Sequence, residues 1–398
     1  MKEGWKYKKL GEIATEMYRG SGIKRDQITS VGYPCIRYGE IYTTYNISFD
    51  ECISHTTEED ISPRKYFEHG DLLFAITGES VEDIGKTIAY LGHNKCLLGG
   101  DIVCMKHKEN PKYLAYALSS KEAIRQKGLG KTKLKVVHTN IPSLKEISIP
   151  VPPLSEQRAI VARLDSAFAQ IDSLKANAEK QLSEARQLFQ KALEEAMKPK
   201  EGWEEKTIGE IAEVKGGKRI PKGYKLESSD TGYKYIRVSD FTDDGTIDLA
   251  NIQYISKEVY EQISRYTITD EDLYISIAGT IGKSGIIPSE LNGANLTENA
   301  CKLVFKTNIN KKFVYFFTKS DLFMKQVSKA TKQASQPKLA LTRLAEIVIS
   351  IPPLSTQHSI VAHLDSLSSN VRALEEKLRK MKDECDALKQ AMLREIFE

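Results

Sequence analysis

The chain has 398 residues, of which 40% are hydrophobic and 28% charged, so it carries enough apolar side chains for two or more globular cores. No apolar run approaches the ~20 residues of a membrane-spanning helix, and the first residues lack a signal-peptide core, so we expect a cytoplasmic protein that contacts no membrane. The net charge of +4 neither demands nor excludes nucleic acid, and six cysteines without a CxxC pair predict reduced, mostly buried thiols.

The sequence of residues 1–150 predicts a first globular domain. Short segments rich in Ile, Val, Tyr and Phe alternate with Gly, Asn and Asp, which is typical of strands joined by turns. Tyr33–Tyr38, Asp71–Ile76 and Ile102–Lys106 are examples, and one helix is predicted near Pro111–Gln126. We therefore expect an α+β domain with a mixed, twisted or barrel-like sheet.

The sequence of residues 151–200 predicts one long helix. Pro152 and Pro153 end the preceding strand, Ser155 is well placed as the N-cap, and Lys198-Pro199 ends the helix. Between these points the apolar residues follow the 3-4 spacing of a coiled-coil seam. The large side chains predicted for this seam are Leu164, Ile171, Leu174 and Leu188.

The second half repeats the first at an offset of 200. Residues 151–165 read VPPLSEQRAIVARLD and residues 351–365 read IPPLSTQHSIVAHLD. Internal similarity at a fixed offset indicates duplication, which predicts a second globular domain over 201–350 and a second long helix over 351–398. The large seam residues predicted in that helix are Leu364, Val371, Leu374, Leu378, Met381 and Leu388.

The two predicted seams differ in size, because the first is rich in Ala and the second in Leu and Met. Complementary volumes and the connectivity predict that the two helices pair with each other, antiparallel, as a rod of about 60 Å that separates two globular domains. A pseudo-two-fold axis would relate the copies. The alternative is a coil between two molecules.

Motifs of catalysis or metal binding are not convincing in this sequence. Three GK[ST] triplets lack the first glycine of a phosphate-binding loop. His93-x2-Cys96 and Cys104-x2-His107 have a spacing that resembles a zinc site, but Cys104 falls in a predicted strand where the second copy has Val304. We therefore predict no catalytic residue and no metal in this chain.

Both globular domains carry a basic segment at the same place. Residues 121–135 hold six basic residues against one acidic residue, and residues 311–343 hold eight against one. A basic run is most often a solvated helix face, but recurrence in both copies favours phosphate contacts and hydrogen bonds to base edges. Arg37, Lys86, Arg237 and Lys283 also recur, and they either contact DNA or stabilise the framework. The predicted DNA-binding residues are Arg37, Lys86, Arg125, Lys131, Lys133, Lys135, Arg237, Lys283, Lys329, Lys332, Gln336 and Lys338.

The whole chain resembles the specificity subunits of type I restriction-modification systems. The resemblance rests on the duplicated plan, on Gly4-Trp5, on Ile-Gly-Lys at 84–86 and 281–283, and above all on PPLSEQ at 152–157 and PPLSTQ at 352–357. It implies two target recognition domains on an antiparallel helical spacer. It also implies double-stranded DNA, two methyltransferase subunits and translocating restriction subunits as partners. S-adenosylmethionine, ATP and Mg would then belong to those partners, with none bound by this chain.

The function expected from the sequence is therefore non-catalytic recognition of a bipartite, asymmetric DNA site by one subunit of a restriction endonuclease and adenine methyltransferase complex. Two alternatives remain open. One is a coiled-coil adaptor that binds only proteins, and the other is a restriction enzyme fused into a single chain.

Overall fold

The computed structural model describes residues 4–81, 83–129, 136–331 and 338–398. The chain forms two compact units. Unit 1 consists of the described residues up to Ala178 together with Leu378–Glu398, and unit 2 consists of Glu179–Lys377. Each unit therefore contains one globular part and a segment of both long helices. No helix in the described ranges is long and apolar enough to cross a membrane.

Unit 1 begins with short strands and small helices and leads into the first long helix. Its strands are β1 (Lys6–Lys9), β2 (Glu16–Arg19), β3 (Ile28–Thr29), β4 (Tyr33–Ile36), β5 (Ser48–Phe49), β6 (Ser54–Thr56), β7 (Tyr66–Phe67), β8 (Leu72–Ala75), β9 (Thr77–Gly78), β10 (Thr87–Tyr90), β11 (Cys96–Leu98), β12 (Ile102–Lys106), β13 (Val137–His138) and β14 (Ser148–Val151). Its helices are α1 (Leu10–Ile13), α2 (Tyr38–Thr43), α3 (Pro111–Ala117), α4 (Lys121–Gly128), α5 (Ile141–Lys145) and the start of α6 (Leu154–Met197).

Two five-stranded mixed sheets form the body of unit 1, in the orders β2-β12-β8-β10-β5 and β3-β6-β4-β11-β7. The β4–β11 and β5–β10 pairs are parallel, and the other pairs within these sheets are antiparallel. Two-stranded ladders join β1 to β14 and β9 to β13. The residues of β8, β10 and β11 are buried on both faces, which explains their continuous apolar runs.

Unit 2 repeats this topology with fewer strands. Its elements are β15 (Glu204–Thr207), α7 (Ile208–Ile211), β16 (Ala212–Gly216), β17 (Lys234–Ile236), β18 (Gln253–Tyr254), α8 (Lys257–Ile263), β19 (Thr267–Ile268), β20 (Leu273–Ser276), β21 (Ser284–Gly285), β22 (Ala294–Leu296), β23 (Ala300–Phe305), α9 (Lys311–Lys319), α10 (Asp321–Thr331), α11 (Leu341–Ala345), β24 (Val348–Ile351) and α12 (Leu354–Phe397). The sheet orders β16-β23-β20-β21 and β18-β17-β22-β19 match those of unit 1 without the edge strands β5 and β3, and β15 pairs with β24 as β1 pairs with β14. The structure thus confirms the internal repeat and the α+β class.

The single helix predicted in each globular part is two helices. The first ends at Ala117, and Ser120 caps the second, because its hydroxyl accepts the Ala123 N–H at 3.3 Å. Ser320 occupies the same place between α9 and α10 and accepts the Phe323 N–H at 3.4 Å. Serine at an N-cap favours a new helix start over continuation of the old one.

The two long helices run antiparallel within each unit. In unit 1, Lys175 Nζ lies 2.5 Å from Asp386 Oδ1, and Lys389 Nζ lies 2.5 Å from Asp172 Oδ1. In unit 2, Arg186 pairs with Glu375 at 2.6 Å. Arg186 lies after Asp172 in α6, but its partner Glu375 lies before Lys389 in α12. The two helices therefore run in opposite directions, and the predicted antiparallel pairing is confirmed.

The predicted seam is wrong at three positions. Leu174, Leu188 and Leu388 are 58%, 60% and 51% exposed, because the buried stripe runs one residue later at these turns. Buried or half-buried residues recur every three or four positions along α6, at Leu164, Phe168, Ile171, Lys175, Ala178, Leu182, Ala185, Phe189, Leu193 and Met197, and Asp165, Ala167, Ala192, Glu194 and Ala196 beside them are half-buried too. The α6 seam therefore contains several large side chains, and the expected contrast between a small and a large seam is not observed. Leu364 and Leu378 are buried and Val371, Leu374 and Met381 half-buried, as expected.

A buried glutamine explains why both long helices begin with the same motif. Gln157 Oε1 accepts the Asn110 N–H at 2.9 Å, and Gln157 Nε2 donates to Pro152 O at 2.8 Å. Gln357 repeats both bonds with Asn310 and Pro352, each at 2.9 Å. Each glutamine thereby joins the helix start to the cap of α3 or α9. Ser155 was predicted as N-cap, but the helix begins one residue earlier, at Leu154, and Ser155 is exposed inside its first turn.

Candidate nucleic-acid interface

Both units bring the end of the basic segment to the turn that follows their central strand. In unit 1, β13 pairs with β9, and the Thr139 N–H donates to Ile76 O at 2.9 Å. In unit 2, Lys338 forms a bridge with Ala278, and the Leu339 N–H donates to Ile277 O at 2.8 Å. The same hydrogen bond therefore fixes the exit of the basic segment in both copies.

The turn itself requires glycine in both copies. Gly85 and Gly282 have φ values of +71° and +89°, a backbone conformation that L side chains rarely adopt. A Cβ atom on Gly85 would lie 3.1 Å from the side chain of Lys127, and one on Gly282 would lie 2.9 Å from Met324 Sδ. The Ile-Gly-Lys motif therefore lets this turn pack closely on α4 or α10, the helices that carry the basic segment.

The lysines that follow these glycines have different environments. Lys86 Nζ donates to the carbonyls of Tyr42 and Tyr45, at 3.4 and 3.0 Å, where α2 ends, and burial lowers its pKa. Lys283 Nζ instead lies 2.8 Å from the exposed carboxylate of Asp243 and lowers the pKa of that group. Lys86 thus stabilises the framework of unit 1, while Lys283 takes part in a surface ion pair.

The two predicted arginines also differ in their hydrogen-bond partners. Arg237 donates to both carboxylate oxygens of the buried Asp240, at 2.5 and 3.1 Å, and to Asn251 O at 2.9 Å. The side chain of Arg37 is half-buried and has no hydrogen bond or ion pair with another described residue. Glu40, which follows Arg37 at the same spacing, instead accepts the Ser54 hydroxyl at 2.6 Å. Of this pair, Arg37 keeps all its side-chain donors for a ligand, whereas Arg237 is held in place through Nε and Nη2.

The remaining candidates lie along and after the basic helices. Arg125 forms an exposed ion pair with Glu122, one turn away, at 2.7 Å. Lys329 and Lys338 are exposed, and their side chains have no partner among the described residues. Five predicted residues lie outside the described part of the chain: Lys131, Lys133, Lys135, Lys332 and Gln336.

One lysine of the basic run does not reach the surface. Lys127 is buried, and desolvation lowers its pKa to about 7. Its Nζ donates to Leu118 O at 2.7 Å and to Thr87 Oγ1 at 3.1 Å. The signal was present in the sequence, because Lys127 follows the buried Ala123 by one helical turn and so falls on the same inner face.

The cysteines behave as buried thiols. All six are free, and Cys96 and Cys104 lie in separate core strands. His93 stacks on His69 with ring centroids 5.7 Å apart. Within the described residues, no group of three or more His, Cys, Asp or Glu side chains is arranged to hold a metal ion.

Comparison with protein families gives the same division into two halves. A family model described as a type I restriction modification DNA specificity domain matches residues 2–184 and again 200–381.

Individual relatives are distant in sequence, and their matches cover two thirds or more of this chain. The EcoBI type I restriction enzyme specificity subunit of Escherichia coli is 24% identical over 67% of this chain, and the match spans 61% of that protein. The MjaX specificity subunit of Methanocaldococcus jannaschii, named as putative, is 24% identical over 98% of this chain and 92% of its own length. The solved HsdS subunit from Thermoanaerobacter tengcongensis has a TM-score of 0.57 at 18% identity, over 99% of this chain and 96% of that one. A chain from a structure of complex assembly and conformational transition of the type I R-M system has a TM-score of 0.78 at 18% identity, over 98% and 97%.

Proposed function

This chain belongs to the type I restriction modification DNA specificity family, and from that membership we propose that it reads a bipartite DNA site for a restriction-modification complex. Each globular part recognises one half-site. The half-sites differ in sequence because the two parts differ in the side chains around their equivalent turns. The complete site is therefore asymmetric.

The observation that carries this proposal is the recurrence of one surface in both units. The glycine turn, the basic helix beside it and the hydrogen bond that fixes the exit of the basic segment occur in each copy. The polar residues on that surface are not the same, since Arg37 is unpaired where Arg237 is paired, and Lys86 bonds to backbone carbonyls where Lys283 pairs with an exposed carboxylate. A shared frame with different donors suits two readers of different base sequences.

Catalysis and its cofactors belong to the partners in this proposal. Two methyltransferase subunits supply S-adenosylmethionine chemistry on adenine, and restriction subunits supply ATP-dependent translocation with Mg. The long helices provide the docking surface for the methyltransferases and set the distance between the half-sites. The assembly would operate in the cytoplasm, where DNA and these cofactors are present.

An exchange of globular parts tests the proposal. Residues 1–150 are replaced by the matching segment of another family member, and the methylated adenines of host DNA are mapped by single-molecule sequencing with the partner subunits present. We expect one half-site to change while the other half-site and the spacing stay the same.

The reciprocal exchange of residues 201–350 is the matched control and should change only the other half-site. A change of both half-sites in either chimera would contradict the modular assignment. An adaptor that binds only proteins would leave the methylation pattern unaltered, and a fused enzyme would methylate or cleave DNA without partner subunits.

A further inference from the structure

Charged residues occupy the contact between the long helices in unit 1. Lys175 and Lys389 lie at the helix-helix contact, with side chains only 20% and 14% exposed. Each reaches an aspartate on the opposite helix, Asp386 and Asp172, at 2.5 Å. Lys389 Nζ also lies 5.0 Å from the ring centroid of Phe168. These lysines can enter a largely apolar contact because each has a carboxylate facing it.

The corresponding contact in unit 2 has the opposite polarity. Under the offset of 200, Glu375 corresponds to Lys175, and Arg186 corresponds to Asp386. Arg186 Nη2 and Nε donate to Glu375 Oε1 at 2.6 and 3.0 Å. At these two equivalent positions α6 carries the positive residues Lys175 and Arg186, and α12 carries the negative residues Glu375 and Asp386.

This pattern matters for pairing between identical helices. In the pairs of both units the two residue numbers add to the same total, so one antiparallel register holds throughout. Two α6 helices from different molecules, paired in this register, would place Lys175 against Arg186. Two α12 helices would place Glu375 against Asp386 and Arg372 against Lys389. Each of these contacts joins like charges.

The leucines near the two ends of the seam offer no such discrimination. Leu164 and Leu193 are buried in α6, and their counterparts Leu364 and Leu393 are buried in α12. Because these two positions are the same in both copies, they would be filled equally well between identical helices, whereas Phe168, Ala178 and Phe189 correspond to Ser368, Leu378 and Lys389. The charges, which set partner choice and orientation in coiled coils, are the part of the contact that places like groups together when identical helices pair.

We propose that the charge reversal between α6 and α12 is a pairing code, by which each helix accepts the helix of the other copy and rejects a second copy of itself. This inference concerns the helix contact alone and does not depend on the DNA-binding proposal. It keeps one globular part of each kind on every pair of long helices.

The full-length double variant Arg186→Glu/Glu375→Arg tests this code. It retains an opposite-charge pair between α6 and α12 but makes each helix complementary to itself, since Lys175 can then face the carboxylate introduced at position 186 of another molecule. Two differently tagged chains are co-expressed, and the fraction that co-purifies is measured. We expect the double variant to co-purify roughly tenfold or more above the level of the unaltered chain, with salt reducing the effect.

A zero-length carbodiimide cross-link identifies the pairing. Lys175 and the introduced carboxylate at position 186 are about 16 Å apart along the axis of one helix, too far for such a link. A product that joins Lys175 to position 186 therefore reports two α6 helices side by side. The matched control is Lys180→Glu/Glu184→Lys, which reverses an ion pair that lies within α6 alone. It should behave as the unaltered chain.

Folding is checked by the thermal midpoint. Arg186→Glu alone should lower it, and Glu375→Arg added to that variant should restore it. The inference is overturned if the double variant co-purifies no more than the control, if its excess lacks the cross-link between Lys175 and position 186, or if the second substitution fails to restore the midpoint.

Discussion

At the scale of single residues, the two copies differ most sharply where α4 and α10 meet the core. Lys127 is buried, its Nζ has only Leu118 O and Thr87 Oγ1 as partners among the described residues, and Val327 occupies the same place in unit 2. Lys127 also lines a cavity of about 530 Å³ in unit 1. Gln390, another lining residue, has a buried Oε1 without a partner among the described residues. A polar interior at this point is specific to unit 1.

The depressed pKa of Lys127 predicts an unusual dependence of stability on pH. The unfolded chain binds this proton up to a pH near 10.5, whereas the folded chain releases it near 7. The unfolded state is therefore favoured by proton binding between these values, and the contribution of this group to stability rises as pH increases through that window. Between pH 7 and pH 9 the rise is about 2 kcal/mol.

The variant Lys127→Met removes this titration. We expect its free energy of unfolding, followed for unit 1 by hydrogen exchange in α4, to lose that rise between pH 7 and pH 9. Val327→Met in unit 2 is the control and should leave the pH dependence intact. An equal rise in Lys127→Met and the unaltered chain would show that Lys127 stays charged in the folded state.

At the scale of elements, the long helices show what the sequence could predict. Their existence, length and antiparallel pairing follow from the 3-4 apolar spacing, the prolines at their starts and the connectivity. The residues that form every turn of the helix contact could not be predicted from the apolar spacing. Leu174 and Leu188 are apolar but exposed, while Lys175 lies in the contact. An ion pair made by the partner helix changes which face is buried, and the partner is not visible in a local pattern.

The candidate interface, like the helix contact, could be predicted only in part from the sequence. The glycine turns and the basic segments were predictable as recurring features. The roles of Lys86 and Arg237 were not, because they depend on carbonyl and carboxylate groups brought close only by the fold, such as Tyr45 O and Asp240.

Substitution of the buried glutamine in the motif that begins each long helix should lower the stability of its unit. Gln157→Leu leaves the Asn110 N–H and Pro152 O buried without partners, which we expect to destabilise unit 1 by about 2–4 kcal/mol. Faster hydrogen exchange in α3 and a lower thermal midpoint would report the change. Ser155→Ala, in the same motif but exposed inside the first turn, should alter stability by less than about 0.5 kcal/mol. A loss near 1 kcal/mol there would instead restore Ser155 as the cap.

At the scale of the whole molecule, duplication produced two units of the same topology with different surfaces. The sheet orders, the glutamine joints and the glycine turns agree between copies, and these are the features that build each unit. The charges at the helix contact and around the turns disagree, and these are the features that we propose select partners. Construction and selection thus use separate sets of residues.

The division of the chain into units also has a consequence for synthesis on the ribosome. Unit 2 is one continuous stretch, Glu179–Lys377, whereas unit 1 combines the residues up to Ala178 with Leu378–Glu398, which are translated after all of unit 2. Phe397 packs on Tyr113, with ring centroids 5.5 Å apart, and the side chain of Glu398 accepts the Glu122 N–H at 2.8 Å. We therefore expect unit 2 to become protease-resistant first, although its residues emerge second. Ribosome-bound chains with an added C-terminal extension, stalled so that unit 2 is outside the exit tunnel while residues 378–398 are still inside it, should show this order under brief proteolysis, and a fully protected unit 1 in those chains would refute it.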